Sequence, residues 1–235
     1  MAASALWRGI LPRTFFLFTL VAILTASQAC AEIIIDDFEV GPFSFADPSP
    51  NYQTNFYTQT SLPTDHVVGG VRKMEQFGQG LPSIMSVAVG AGDDSLDLTI
   101  PNNSYGSYTI SWYGTADNFR LLNLDLSSES QFEMTLSQIA HTLRVRMMVM
   151  SDSGNTSDSI TVERDEAGTI VVPFSEFEGV NWSDVDGIRV SFSTFERNPP
   201  FVQSISDFRI TVPEPSTIAL LAIALFACAC TRRVL

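Results

Sequence analysis

The sequence predicts an all-β fold, a two-sheet antiparallel β-sandwich of jelly-roll type, flanked by an N-terminal signal helix and a short C-terminal hydrophobic helix. Three observations carry this. Period-2 alternation of apolar and polar residues recurs from Glu32 to Val212, polar turns separate the runs, and no amphipathic helix pattern of ordinary length interrupts them. Ten or more short strands with such turns are expected to close into two packed sheets.

The elements divide the chain into residues 1–31, 32–211 and 212–235. The first segment reads as a secretory signal. Arg8 and Arg13 supply positive charge, Phe15 to Leu24 is apolar but for Thr19, and Ala29-Cys30-Ala31 offers the small residues for cleavage before Glu32. Signal peptidase is therefore an expected partner during export. Lipidation at Cys30 is the alternative, but Ser27 stands where a lipobox wants an aliphatic residue.

Strands follow in order. Glu32 to Val40 opens with three isoleucines and runs into Asp36-Asp37-Phe38-Glu39. Residues 41–66 are rich in Pro, Ser, Thr, Asn and Tyr and are expected to form a long surface loop. Val67 to Phe77, interrupted by Gly69-Gly70, is the next candidate, then Ser83 to Val89, Leu96 to Ile100 and Ser107 to Tyr113. Leu122, Leu124 and Leu126 share a face, as do Phe132, Met134 and Leu136. In the second half Leu143, Val145, Met147 and Val149 alternate with Arg144, Arg146, Met148 and Met150. Strands are expected at Ser159 to Arg164, Thr169 to Phe174, Ile188 to Phe192 and Phe208 to Val212, with Val180 to Asp186 a short helical or irregular turn.

The C-terminal segment is Val212-Pro213-Glu214-Pro215-Ser216-Thr217, then apolar residues 218–230, then Arg232-Arg233. The prolines hold the motif extended, a shape that enters a protease cleft, and Ser216 and Thr217 can cap a helix starting at Ile218. The arginines would keep the end cytoplasmic. This order resembles the PEP-CTERM sorting signal. The resemblance implies recognition by an exosortase, a membrane-embedded cysteine transpeptidase-like enzyme, with cleavage near Val212 to Pro215 and transfer of the body to the cell surface or extracellular matrix. A helix over 218–230 rises about 20 Å, short of a bilayer core of about 30 Å. A transient membrane insertion of the tail is expected, and a plain C-terminal membrane anchor is the alternative.

The body itself resembles exported galactose-binding-like and carbohydrate-module-like jelly rolls. The resemblance rests on Asp36-Asp37-Phe38-Glu39, Gly69-Gly70-Val71-Arg72, Val172-Pro173-Phe174-Ser175, Val185 to Arg189 and Asp207-Phe208. It implies that the first and last strands lie near each other.

Composition bounds the function. The chain has formal net charge −13, from Lys+Arg 13 and Asp+Glu 26. Setting aside Arg8, Arg13, Arg232, Arg233 and Glu214 leaves 25 acids against 9 bases in the body. A surface of that sign repels phosphate backbones, so nucleic acid is not an expected partner. The three cysteines, Cys30, Cys228 and Cys230, all lie in the terminal segments, so the body has no disulfide and no thiolate chemistry. His66 and His141 are far apart in sequence, and no Gly-x-Ser-x-Gly elbow is present, which argues against a Ser-His-Asp hydrolase.

Two binding chemistries remain. Calcium takes six to eight oxygens, and Asp36, Asp37, Glu39 and Asp207 could converge if the terminal strands pair. Asp93, Asp94 and Asp97 form a second acidic turn, and Asp152, Asn155 and Asp158 a third; the plainer reading of each is a solvated turn. Carbohydrate needs an aromatic platform. Trp112, in phase with Ile110, reads as core, so Tyr113 is expected to point outward, and Trp182 to stand exposed in a turn. Tyr52, Phe56, Tyr57, Tyr105 and Tyr108 are further candidates. The expected function is a structural or carbohydrate-binding component of an exopolysaccharide-rich envelope. The alternatives are a secreted carbohydrate-active enzyme, which needs two carboxylates flanking a glycosidic bond, and a spacer with no ligand.

Overall fold

The computed structural model describes residues 32–47, 51–80, 85–90, 94–100, 104–115, 121–152, 156–194 and 201–211. The expected terminal helices, the cleavage residues Ala29 and Ala31, and the sorting residues Val212, Pro213, Glu214, Pro215, Arg232 and Arg233 lie outside them. Residues Glu32–Thr211 form one compact unit that contains the whole described core.

Alternation along the chain becomes two antiparallel sheets. The first contains β1 (Ile33–Asp36), β2 (Phe43–Asp47), β5 (Met85–Val89), β6 (Leu96–Ile100), β8 (Gln131–Ile139), β11 (Gly168–Pro173) and β13 (Phe201–Thr211). Its order is β11-β8-β13-β6-β5-β2, with β1 also on β13. The second contains β3 (Asn51–Gln59), β4 (Val71–Gly80), β7 (Ser104–Tyr113), β9 (Leu143–Ser151), β10 (Thr156–Arg164) and β12 (Val185–Thr194), in the order β10-β9-β12-β7-β4-β3. The jelly-roll expectation holds at its most specific point: β1 pairs β13, with Ile33 opposite Ile210. β13 has β8 along one side, while β6 and β1 share the other, β6 along Phe201–Ile205 and β1 along Phe208–Ile210.

The core lies between the sheets. Leu96, Leu98 and Ile100 of β6, Phe132, Met134 and Leu136 of β8, and Leu143 to Val149 of β9 bury every second residue. Their facing layers belong to one hydrophobic cluster with Ile110, Trp112, Val190 and Phe208. Tyr108 crosses the gap. Its hydroxyl donates to the carbonyls of Ser86 (2.9 Å) and Thr99 (2.6 Å), linking the second sheet to β5 and β6, and burial pushes the phenol up from its ordinary pKa.

Residues 41–66 are not the loop their composition suggests. β2 and β3 run through them, each at the edge of a different sheet. An edge strand shows much of itself to water and tolerates polar composition, which conceals it in the sequence. Their few apolar residues close this side of the sandwich: Phe43 and Phe45 pack against Tyr57 with ring centroids 5.1 and 4.1 Å apart. The strand expected from Val67 starts later, at Val71, because a 3₁₀ turn occupies Val68–Gly70. Gly69 has φ +70, and a Cβ there would lie 2.5 Å from the Tyr113 carbonyl oxygen. That backbone needs glycine on both counts.

Candidate functional site

The outer face of the second sheet concentrates polar, charged and aromatic side chains in register. Strand pairing sets Phe56, Glu75, Thr109, Ser191, Arg146 and Thr161 in one row across six strands. A neighbouring row runs Thr58, Lys73, Ser111, Arg189, Met148 and Ser159, and a third runs Thr54, Phe77, Ser107, Ser193, Arg144 and Glu163. At an interstrand spacing near 4.8 Å each row spans about 24 Å. The intervening residues point inward. That is why the same strands read as half apolar.

Hydrogen bonds and ion pairs order this face. Lys73 Nζ lies 4.6 Å above the Phe56 ring centroid and 3.3 Å from Glu75 Oε1. Arg189 Nη2 lies 3.9 Å from the same Glu75 oxygen and donates to Tyr113 Oη at 3.1 Å, while its Nε donates to Ser111 Oγ at 3.2 Å. Arg146 donates to Ser159 Oγ through Nε (3.1 Å) and Nη2 (2.9 Å). Thr109 and Ser191 share a 2.9 Å hydrogen bond. Phe56 is 56% exposed and Phe77 37% exposed. They are diagonal cross-strand neighbours, about 7 Å apart at the backbone. Two large apolar rings in water beside anchored donors and acceptors make a platform for a flat, hydroxylated ligand. The carboxylates of this face, Glu75 and Glu163, are on strands about 19 Å apart, far beyond the spacing of a glycosidase pair.

The aromatics singled out in the sequence lie elsewhere. Tyr113 does occupy the outward phase, but it is 1% exposed. Its ring lies on Gly187, where a Cβ would come within 3.1 Å of it, so Tyr113 supports Arg189 instead of meeting solvent. Trp182 is half-buried and not a free turn residue. It stacks on Phe174 at 3.7 Å and 3°, and it approaches Phe132 and Phe177 at 6.1 and 5.7 Å. Trp112 is core, as its phase requires. Side chains of Tyr52 and Tyr105 lie outside the described residues. Phe56 was one candidate among many; Phe77, Lys73 and Arg189 were missed, because only the register brings them together.

Asp36 drops out of the expected calcium set. Asp36 is fully buried, and its two oxygens accept from Arg72 Nε and Nη2 (2.5 Å each), Trp112 Nε1 (2.8 Å) and the Phe38 amide (3.0 Å). Four donors fill its lone-pair sites, leaving none for a cation. Burial raises the Asp36 pKa from its ordinary value, against the lowering influence of Arg72, Trp112 and the Phe38 amide. Arg72, equally buried, also donates to Gln59 Oε1 at 3.0 Å and lies over the Phe38 ring. The Asp-Asp-Phe-Glu and Gly-Gly-Val-Arg segments thus meet in a buried ion pair between the sheets. Asp207 lies 2.9 Å from Arg209 Nε, and burial raises its pKa.

Asp37 and Glu39 instead meet His66. His66 Nδ1 donates to Asp37 Oδ2 at 2.6 Å and lies 3.8 Å from Glu39 Oε2, and the Asp37 hydrogen bond raises the imidazole pKa. Their donor atoms fall within 4.8 Å of one another. An imidazole with two carboxylates suits zinc or manganese better than calcium. The other acidic turns fasten loops. Asp152 accepts from Asn181 Nδ2 (2.8 Å), Asp158 from the Glu178 amide (2.6 Å), and Asp97 from Ser95 Oγ (3.3 Å). Asp93 and Asn155 lie outside the described residues. Among the described residues no helix is long and apolar enough to cross a membrane.

Comparison with known proteins adds two findings. Residues 211–234 match the family model of the PEP-CTERM protein-sorting motif. The motif marks an exported, cell-surface-directed protein and implies processing by an exosortase. No curated protein matches the chain. Among solved structures, the chain is similar to a family 11 carbohydrate-binding module from Clostridium thermocellum in complex with a β-1,3-1,4-mixed-linked tetrasaccharide. That match has 14% identity and TM-score 0.40, covering 79% of this chain and 98% of that one. It is also similar to a family 30 module of a cellulosomal cellulase of the same organism, at 12% identity and TM-score 0.39, covering 78% and 99%.

Proposed function

We propose that this exported protein is a non-enzymatic component of the cell surface or extracellular matrix whose body holds polysaccharide against the outer face of the second sheet. One observation carries the reading: Phe56 and Phe77 stand in water beside an ordered network of Lys73, Glu75 and Arg189. A sugar can lay its C–H face on an exposed ring and its hydroxyls on fixed charges. The length of the rows suits an extended chain better than a single sugar. Exosortase processing would deliver the body to where such chains are found.

The test is a glycan array probed with the Glu32–Thr211 unit and with Phe56→Ala/Phe77→Ala. Binding to one polysaccharide class that drops at least tenfold in the variant is the expected result; this is about 1.4 kcal/mol. Undiminished binding by a folded variant would move the site off this face.

A further inference from the structure

We infer that the polysaccharide bound on this face is anionic, carrying carboxylate or sulfate groups. This inference rests on the carbohydrate reading above and names its ligand class.

The body is strongly acidic, yet four of its described bases share one face. Lys73, the chain's one lysine, shares the outer face of the second sheet with Arg144, Arg146 and Arg189, against Glu75 and Glu163. On the outer face of the first sheet the described charges are reversed: Asp97, Glu133 and Asp207 against Arg209. Among the described residues, the second sheet's outer face is therefore net positive on a net negative body. Such segregation is not needed for solubility, which overall charge already provides.

Among its described residues the face carries four cations against two carboxylates. Glu75 is shared by Lys73 and Arg189, so one carboxylate faces two cations. Glu163 meets Arg144 at 3.4 Å at the sheet edge. Arg146, between them, is held by the Ser159 hydroxyl and has no carboxylate partner among the described residues. A hydroxyl leaves the guanidinium charge intact and orients its fork, the arrangement that accepts a carboxylate or sulfate in two hydrogen bonds. A neutral glycan would bring nothing to balance these cations. An acidic chain would balance them, and the field of this face would draw it past the negative remainder of the body.

The experiment is isothermal titration calorimetry of the Glu32–Thr211 unit in EDTA, which removes calcium bridging. The probes are polygalacturonate, its methyl ester, a neutral mixed-linkage glucan and polyphosphate. Polygalacturonate is expected to bind at least about tenfold more tightly than the ester or the glucan, and to lose about tenfold when salt rises from roughly 50 to 500 mM. Arg144→Gln/Arg146→Gln is expected to weaken polygalacturonate about tenfold and to remove most of its salt dependence, with the near-ultraviolet dichroism spectrum unchanged. Equal affinity for polygalacturonate and its ester would overturn the anionic inference and leave carbohydrate binding standing. No binding of any glycan by protein with a native near-ultraviolet dichroism spectrum would overturn both. Polyphosphate bound as tightly as polygalacturonate would mean a general polyanion surface and overturn the assignment to an acidic sugar.

Discussion

Replacing Asp36 by alanine removes the acceptor of four N–H groups at once. Arg72 would keep its charge in a site with no solvent exposure, and Trp112 Nε1 and the Phe38 amide would lose their partner. Breaking one side of a fully buried ion pair costs about 3–5 kcal/mol. For a domain of this size 1 kcal/mol shifts the melting temperature by about 2–4 °C, so a fall of about 6–20 °C is expected. Phe38 adds to the reason for expecting the upper half. Its φ is +58, a strained value for a side chain of that size, and the Asp36 carboxylate accepting its amide helps to hold it. Arg72→Met should behave differently. Asp36 would retain two donors, and burial already favours its neutral form, so the carboxyl can take up a proton. A carboxyl whose folded pKa lies above its unfolded value of 3.8 contributes most below that value and loses the contribution as pH rises through the folded one. Arg72→Met should therefore approach wild-type stability near pH 4 and fall away above it. Asp36→Leu/Arg72→Met removes both charges and should be more stable at pH 7 than Asp36→Ala. Urea unfolding of Glu32–Thr211, followed by tryptophan fluorescence, reads all three. A cost below about 1 kcal/mol for Asp36→Ala would refute the claim that this pair ties the sheets together.

Trp182→Ala should cost about 2–3 kcal/mol, below the value for a fully buried tryptophan, because the ring is half-buried in a stack with Phe174; a melting temperature within a degree of wild type would return Trp182 to the surface. The His66 ring protons should titrate by NMR above 6.5, because the Asp37 hydrogen bond favours the imidazolium, and Asp37→Asn should bring the midpoint down. With a raised folded pKa, the His66 contribution to stability is complete below 6.5 and is lost as pH rises through the folded midpoint. In the sorting segment, Pro213→Ala/Pro215→Ala should leave the tail attached, because without the prolines the motif can join a helix and leave the extended form; normal trimming, read by intact mass, would remove that argument.

Much of the sandwich was legible because its interior strands carry apolar residues on every second position. Strands such as β6, β8 and β9 declare their faces without reference to partners. β2 and β3 did not, since an edge strand needs only a few rings, here Phe43, Phe45 and Tyr57. The Asp36–Arg72 pair left one readable trace: Arg72 shares the inward phase of Met74, a place where an arginine survives only with a partner. Nothing along the chain named that partner, because Asp36 looks like any acid in an acidic run. The candidate face was hidden for a different reason. Its rows draw one residue from each of six strands, and no local pattern encodes which residues of distant strands stand opposite one another.

The placement of β13 bears on how the body resists force. It ends at Thr211, and the sorting segment follows directly in sequence. A protein attached to a surface through that end, and pulled by a moving polymer on its other parts, feels tension along this strand. β13 is an interior strand, flanked by β8 on one side and by β6 and β1 on the other. Drawn along its axis, it must shear both ladders together, whereas an edge strand peels away one hydrogen bond at a time. A tether at that end would therefore load a mechanically strong seam. The N-terminal strand reinforces it, because β1 grips the last residues of β13 beside the point where the load arrives.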